Sequence, residues 1–159
     1  MAGSFALLAA GVWLGGLLIL GAVVAPTVFR EVPAPSSADA MTIVFTRFDK
    51  IAMMCAAIVA VAEVVRVRAL AAGRPEARAT RIDVARLGVM AVAGTLAVVQ
   101  GMWLSPTIVA LHRDGAIRGL NPLGERLERF HGWSETCGKT ESLLLVALVV
   151  LIAHSLTES

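Results

Sequence analysis

The chain alternates between long apolar runs and short polar connections. The apolar runs cover about 5–25, 51–67, 87–104 and 133–154. Roughly 20 apolar residues in helical form cross a hydrocarbon layer. The pattern therefore predicts an all-α fold: an antiparallel four-helix transmembrane bundle with amphipathic helical extensions on the outer side, forming a single domain over 1–159. The first run has a signal peptide as its rival reading, since Val23-Val24-Ala25 loosely fits a cleavage site. No basic residue precedes it and three further spans follow, so it is expected to be retained. Pro26 is expected to interrupt or kink this helix, and Pro106 to kink or end the third. Phe45, Phe48, Ile51 and Cys55 repeat at helical spacing and make an amphipathic start to the second helix, which Ser36 or Ser37 can cap. Pro122 suits the first turn of the fourth.

That fourth helix carries the most polar sequence of any span. Leu143 to Ala153 is unbroken hydrocarbon, only about 16 Å long at 1.5 Å per residue. The hydrocarbon core is about 30 Å thick, so part of the stretch from Trp133 to Ser142 must enter it. On a helical wheel His131, Glu135, Gly138 and Ser142 share one face. Ser134, Cys137 and Glu141 lie on one flank and Lys139 on the other. Ionisable groups at membrane depth face a bundle interior or a wet cavity.

Composition agrees: 57% of residues are hydrophobic and 16% charged, with a mean hydropathy of +0.78. A net charge of +2 gives no footing for a nucleic-acid partner. Two distant cysteines make no disulfide framework, and no standard cofactor motif is present. The connection from Arg66 to Arg86 holds six arginines, with Gly73-Arg74-Pro75 as its turn and Glu76 and Asp83 as its acids. The positive-inside rule puts it in the cytoplasm, with both termini, in an inner (bacterial) membrane.

This topology gathers Arg30, Arg47, Asp49, Lys50, His131, Glu135, Lys139 and Glu141 at the outer end. Two readings stay open there: a salt-bridge network joining helix ends, or a pocket of imidazole, thiol and carboxylate suited to a soft transition metal, with His131 and Cys137 as ligands and Cys55 at similar depth. Glu63 is either part of an ion path or a carboxylate paired at i, i+3 with Arg66. Gln100 is expected to hydrogen-bond between helices, and Trp103 to lie at the membrane interface. Small-residue faces at Gly11, Gly15, Gly94 and Gly101 suit close helix contacts, within the chain or in a homo-oligomer within the lipid bilayer.

Three stretches carry a likeness: Phe29-Arg30 followed by Phe45; Trp103-Leu104-x-Pro106; and Phe130-His131-Gly132-x-Ser134-x-x-Cys137. On these the chain resembles the transmembrane protein 205-like family, four-helix membrane proteins whose domain has no assigned function. The resemblance implies no established catalysis. Animal members are linked to platinum-drug resistance through sulfur ligands, which points to Cys137 and Cys55; Gly138 departs from the family's Asn. The expected function is thus non-enzymatic binding or transport of a soft metal ion, metal complex or small polar solute at an outward-facing pocket. That pocket comprises Arg30, Arg47, Asp49, Gln100, His131, Ser134, Glu135, Cys137 and Glu141. Arg30 and Arg47 would hold the carboxylates, and Glu135 and Glu141 would supply charge or carry protons. The alternatives are a structural or assembly subunit, and a haem-binding oxidoreductase drawing on His112, His131 and His154.

Overall fold

The computed structural model describes residues 2–73, 81–117 and 119–157. The Arg74-Pro75 part of the expected turn, and Glu76, lie outside them. Every regular element among the described residues is helical. Helix α1 (Ala2–Ile19) passes through a five-residue π-turn, Leu20–Val24, into α2 (Ala25–Glu31). Helix α3 is Ser36–Gly73. Helix α4 (Arg81–Val99) passes through a second π-turn, Gln100–Leu104, into α5 (Ser105–Arg113). Helix α6 is Pro122–Thr157.

The two prolines explain the two π-turns. A mid-helix proline lacks an amide hydrogen and its ring presses on the carbonyl four residues earlier. Here the wider turn comes directly before each Ala25-Pro26 or Ser105-Pro106 step, so the helix continues past the proline. The first helix accordingly continues past the apolar run 5–25 to Glu31. Val32, which precedes Pro33, is extended at φ −110°, ψ 122°. The first amides of α3 donate to the carbonyls of Pro33 and Pro35. Gly115, at φ 78°, closes α5, with the Ala116 amide donating to the Leu111 carbonyl at 3.0 Å. Asn121 then caps α6, its Oδ1 accepting the Gly124 amide at 2.6 Å, with Pro122 in the first turn as expected.

Helix contacts run α1 to α3, α3 to α4, α4 to α6 and α6 back to α1, a closed ring of neighbours. Inside it lie Ala6, Ala10, Trp13, Val59, Ala93, Leu145, Leu148 and Ile152, all shut off from solvent. A second cluster of Leu104, Ile108, Leu111, Ala116, Leu127 and Phe130 packs α5 against the start of α6. The exterior is apolar too: Leu8, Val12, Met54, Val61, Met102, Leu143 and Val150 are exposed. A helix set apolar both inside and out belongs in lipid.

Three helical stretches, Gly3–Glu31, Arg81–Arg113 and Pro122–Ser155, are long and apolar enough to cross a membrane. The chain is therefore an integral membrane protein. Helix α3, which holds the expected span 51–67, is not among the three, because Asp49, Lys50, Glu63, Arg66 and Arg68 interrupt it. Asp49 and Glu63 point inward, however, and Met54, Ile58, Val61 and Val65 face outward.

The glycines divide by contact. A Cβ on Gly16 would stand 2.2 Å from the Phe48 ring, and one on Gly101 would stand 2.9 Å from the Met53 methyl. One on Gly94 would just touch Ala56 at 4.0 Å, and Gly11 and Gly15 face open space. Gly16 is thus the glycine of α1 that packs closely against α3. Gly16→Ala should lower unfolding stability in detergent by about 1–3 kcal/mol through overpacking. Gly11→Ala should leave it unchanged; thermal unfolding of the two variants side by side is the check.

Candidate functional site

Two polar layers are set into the apolar interior, and α3 and α6 each contribute to both. On α3, Asp49 and Glu63 are fourteen residues apart and so share a face, about 21 Å from one layer to the other. On α6, Glu141 and Ser155 have the same spacing. Between the layers lie Val59, Leu145, Leu148 and Ile152, each with no exposed surface.

The layer near the Arg66–Arg86 connection is charge-balanced. Glu63, 1% exposed, accepts from the equally buried Arg86 and from Arg66 at 3.0 Å, the expected i, i+3 pair. Arg66 also reaches Asp83 at 2.5 Å. Arg86 donates to the Ser155 hydroxyl as well, tying α3, α4 and α6 together. Two carboxylates thus meet two guanidinium groups.

The other layer, toward Trp133, has no such balance. Asp49 is 6% exposed and accepts a 2.5 Å hydrogen bond from the Ser105 hydroxyl. Glu141 is 2% exposed and accepts a 2.5 Å hydrogen bond from the Trp13 indole, across from α6 to α1. Gln100 donates to the Ser134 hydroxyl at 2.6 Å, the expected interhelical bond, and its Oε1 is buried without a partner. Among the described residues no basic side chain stands within ion-pair distance of Asp49 or Glu141. Two buried carboxyls, each met by a single neutral donor, require a proton or a bound cation in a low-dielectric setting.

The other expected site residues lie elsewhere. Arg30 is exposed and pairs with its neighbour Glu31 at 2.7 Å, and Arg47 is exposed. Neither holds the buried carboxylates, because α2 and the start of α3 turn these long side chains outward. Glu135 is exposed and salt-bridged to Lys139 at 2.6 Å. The inward stripe of α6 is Leu127, Phe130, Ser134, Cys137, Glu141, Leu145, Leu148 and Ile152, spaced by threes and fours. The face of His131, Glu135, Gly138 and Ser142 lies to its side, so the expected orientation of α6 is corrected by part of a turn. His131 is half-buried and stands edge-on to His112, ring centroids 5.8 Å apart. Cys137 packs with the Leu104–Phe130 cluster and Cys55 with the main core, so the two thiols belong to separate packing units. Six residues on a helix put His131 and Cys137 about 120° apart around the axis and about 9 Å along it, so one ion cannot take both. No group of three or more His, Cys, Asp or Glu side chains among the described residues is arranged to hold a metal ion. Trp103, half exposed, joins Phe130 and Trp133 in a group of rings.

Trp13, Ser105, Arg86 and Ser155 escape sequence reading. Ser105 had one signal, its place before Pro106. Arg86 read as part of a basic loop, yet it is 1% exposed. Breaking its pair from one side leaves Glu63 buried and unanswered. Arg86→Met should cost about 3–5 kcal/mol in unfolding stability. Adding Glu63→Gln to it should restore much of the loss, measured by denaturant unfolding of both variants in the same detergent.

No curated protein and no solved structure matches this chain. One family model does, that of a domain of unknown function, DUF4149, over residues 8–116. The match runs from α1 to the turn after α5 and takes in Trp13, Asp49, Glu63, Arg86, Gln100 and Ser105. A match over more than half of its length makes the chain a member of the DUF4149 family.

Proposed function

We propose that this protein is a non-enzymatic membrane protein that binds, and passes on, protons or small cations at the Asp49–Glu141 layer. The observation that carries this reading is the burial of both carboxyls without a basic partner among the described residues, beside a balanced Glu63–Arg86 layer in the same interior. The protein satisfies charge where it serves structure and leaves it open where a ligand would sit. Ser105, Ser134 and the unpartnered Gln100 Oε1 add neutral oxygens, and oxygen donors suit hard cations.

In this reading α3 supplies the fourth crossing of an antiparallel bundle. The arginine-rich connection faces the cytoplasm and the Asp49–Glu141 layer lies toward the outside. The apolar block of Val59, Leu145, Leu148 and Ile152 then separates the site from the cytoplasmic layer, so passage would need a rearrangement rather than a standing pore. The transmembrane protein 205-like resemblance points instead to sulfur. The separation of His131 from Cys137, and of Cys137 from Cys55, moves the weight to carboxylate chemistry.

A second reading, an assembly subunit, has the open Gly11–Gly15 face in its favour.

A hydrophobic carbodiimide tests the leading reading, because it attacks protonated carboxyls inside hydrocarbon. Peptide mass spectrometry should find the adduct on Glu141 or Asp49, less of it in excess Na+ or K+, and none on Glu63. Glu141→Gln should remove the adduct from that position and, in vesicles, abolish cation-driven proton movement. A folded protein whose Glu141 and Asp49 stay unlabelled would end the proposal.

A further inference from the structure

His112 and His131 form a pair that the carboxylate layer does not use. His112 is in the last turn of α5 and His131 in the third turn of α6. Both are half-buried, with ring centroids 5.8 Å apart and planes at 71°. Their backbones are fixed by immediate neighbours: Leu111 and Phe130, at 4% and 7% exposure, belong to one cluster, and Leu127 lies a turn before His131. The Gly115 turn and the Asn121 cap pin the two helix ends that meet there.

We infer that His112 and His131 form a two-imidazole site for a borderline divalent transition ion such as Zn2+, Ni2+ or Cu2+. Two imidazoles bound through nitrogen at about 2.0–2.1 Å put each ring centre about 3.2 Å from the metal, so a centroid spacing between about 5.2 and 6.4 Å spans tetrahedral to linear arrangements. The 5.8 Å observed falls inside that window. Two imidazole nitrogen donors with solvent in the remaining positions suit these ions, with affinity rising from Ni2+ to Cu2+ and falling again at Zn2+. The chemistry differs from the thiolate set read from the sequence, since Cys137 is on another face of α6. The site is independent of the Asp49–Glu141 proposal and stands or falls separately.

Titration of the full-length protein in detergent with CuCl2 or NiCl2 tests it, followed by calorimetry and, for Cu2+, by electron paramagnetic resonance. The wild type should take one ion per chain, with nitrogen hyperfine splitting from two imidazoles. His112→Ala and His131→Ala should each weaken binding by about 10- to 100-fold, at least the loss that follows from disturbing a ligand's support. Cys137→Ala and His154→Ala should bind as the wild type does. Should His131→Ala fail to fold, His112→Ala at the helix end carries the comparison. Diethyl pyrocarbonate adds a second readout: bound metal should protect both rings from modification. Failure of the folded wild type to bind, unchanged binding in either histidine variant, or equal loss in His154→Ala would overturn the inference.

Discussion

Charge in a low-dielectric interior must be answered by charge, by a proton or by a ligand, and this constraint shapes the whole molecule. Helix α3 carries two acids on its inward face and can cross lipid only if its neighbours deal with both. For Glu63 they do so in full, through Arg86 of α4, Arg66 of its own helix and, by way of Arg86, Ser155 of α6. For Asp49 the answer is one hydroxyl. The difference lies in what the flanking helices bring to each level. The α4 start comes directly out of an arginine-rich connection, whereas the α5 start offers only serine and proline.

Packing follows from the same need. A short polar side chain reaches a partner on another helix only if the backbones approach closely. Gly16 lets Phe48 of α3 lie against α1, and Gly101 lets Met53 and Asp49 lie against the second π-turn. The alanines Ala6, Ala10, Ala93 and Ala97 keep the remaining contacts thin. Trp13 is a large ring fully shut into this interior, and its indole N–H is spent on Glu141. Bulk and polarity thus come from the same residue at the level where the bundle needs both.

Much of the architecture was legible in the chain. The apolar runs of the first, third and fourth spans, the marks of Pro26 and Pro106 on their helices, the Glu63–Arg66 pair, the Gln100 bond and the start of α6 at Pro122 all follow from local rules of period, proline geometry and spacing. The inward face of α6 did not. Two polar stripes run along it, His131 with Glu135 and Ser134 with Glu141, and a helical wheel fixes their relative angle without choosing between them. The choice comes from Trp13, 128 residues away in sequence, and from Gln100, 34 away. Arg86 was hidden for a related reason. An arginine at the edge of a basic connection looks solvated until a carboxylate on another helix draws it in. The thiols read ambiguously because cysteine is both a metal ligand and a small core residue, and here both pack among apolar neighbours.

The π-turns carry a further meaning for how this chain tolerates change in length. A π-turn holds about one residue more than an α-turn, so everything beyond it is rotated by roughly 100° relative to an uninterrupted helix. The faces that α2 and α5 present therefore depend on 20–24 and 100–104 keeping their wider winding, as much as on the identity of the residues there. Losing one residue from 100–104 would let the helix close into regular α form. Ser105, Ile108 and Leu111 would keep the faces they now present, whereas closing all five residues into α form would swing them away by roughly 100°. In these two short segments the wider turn absorbs one extra residue, so a gain or loss of length there can be taken up locally and not passed on to the side chains that follow.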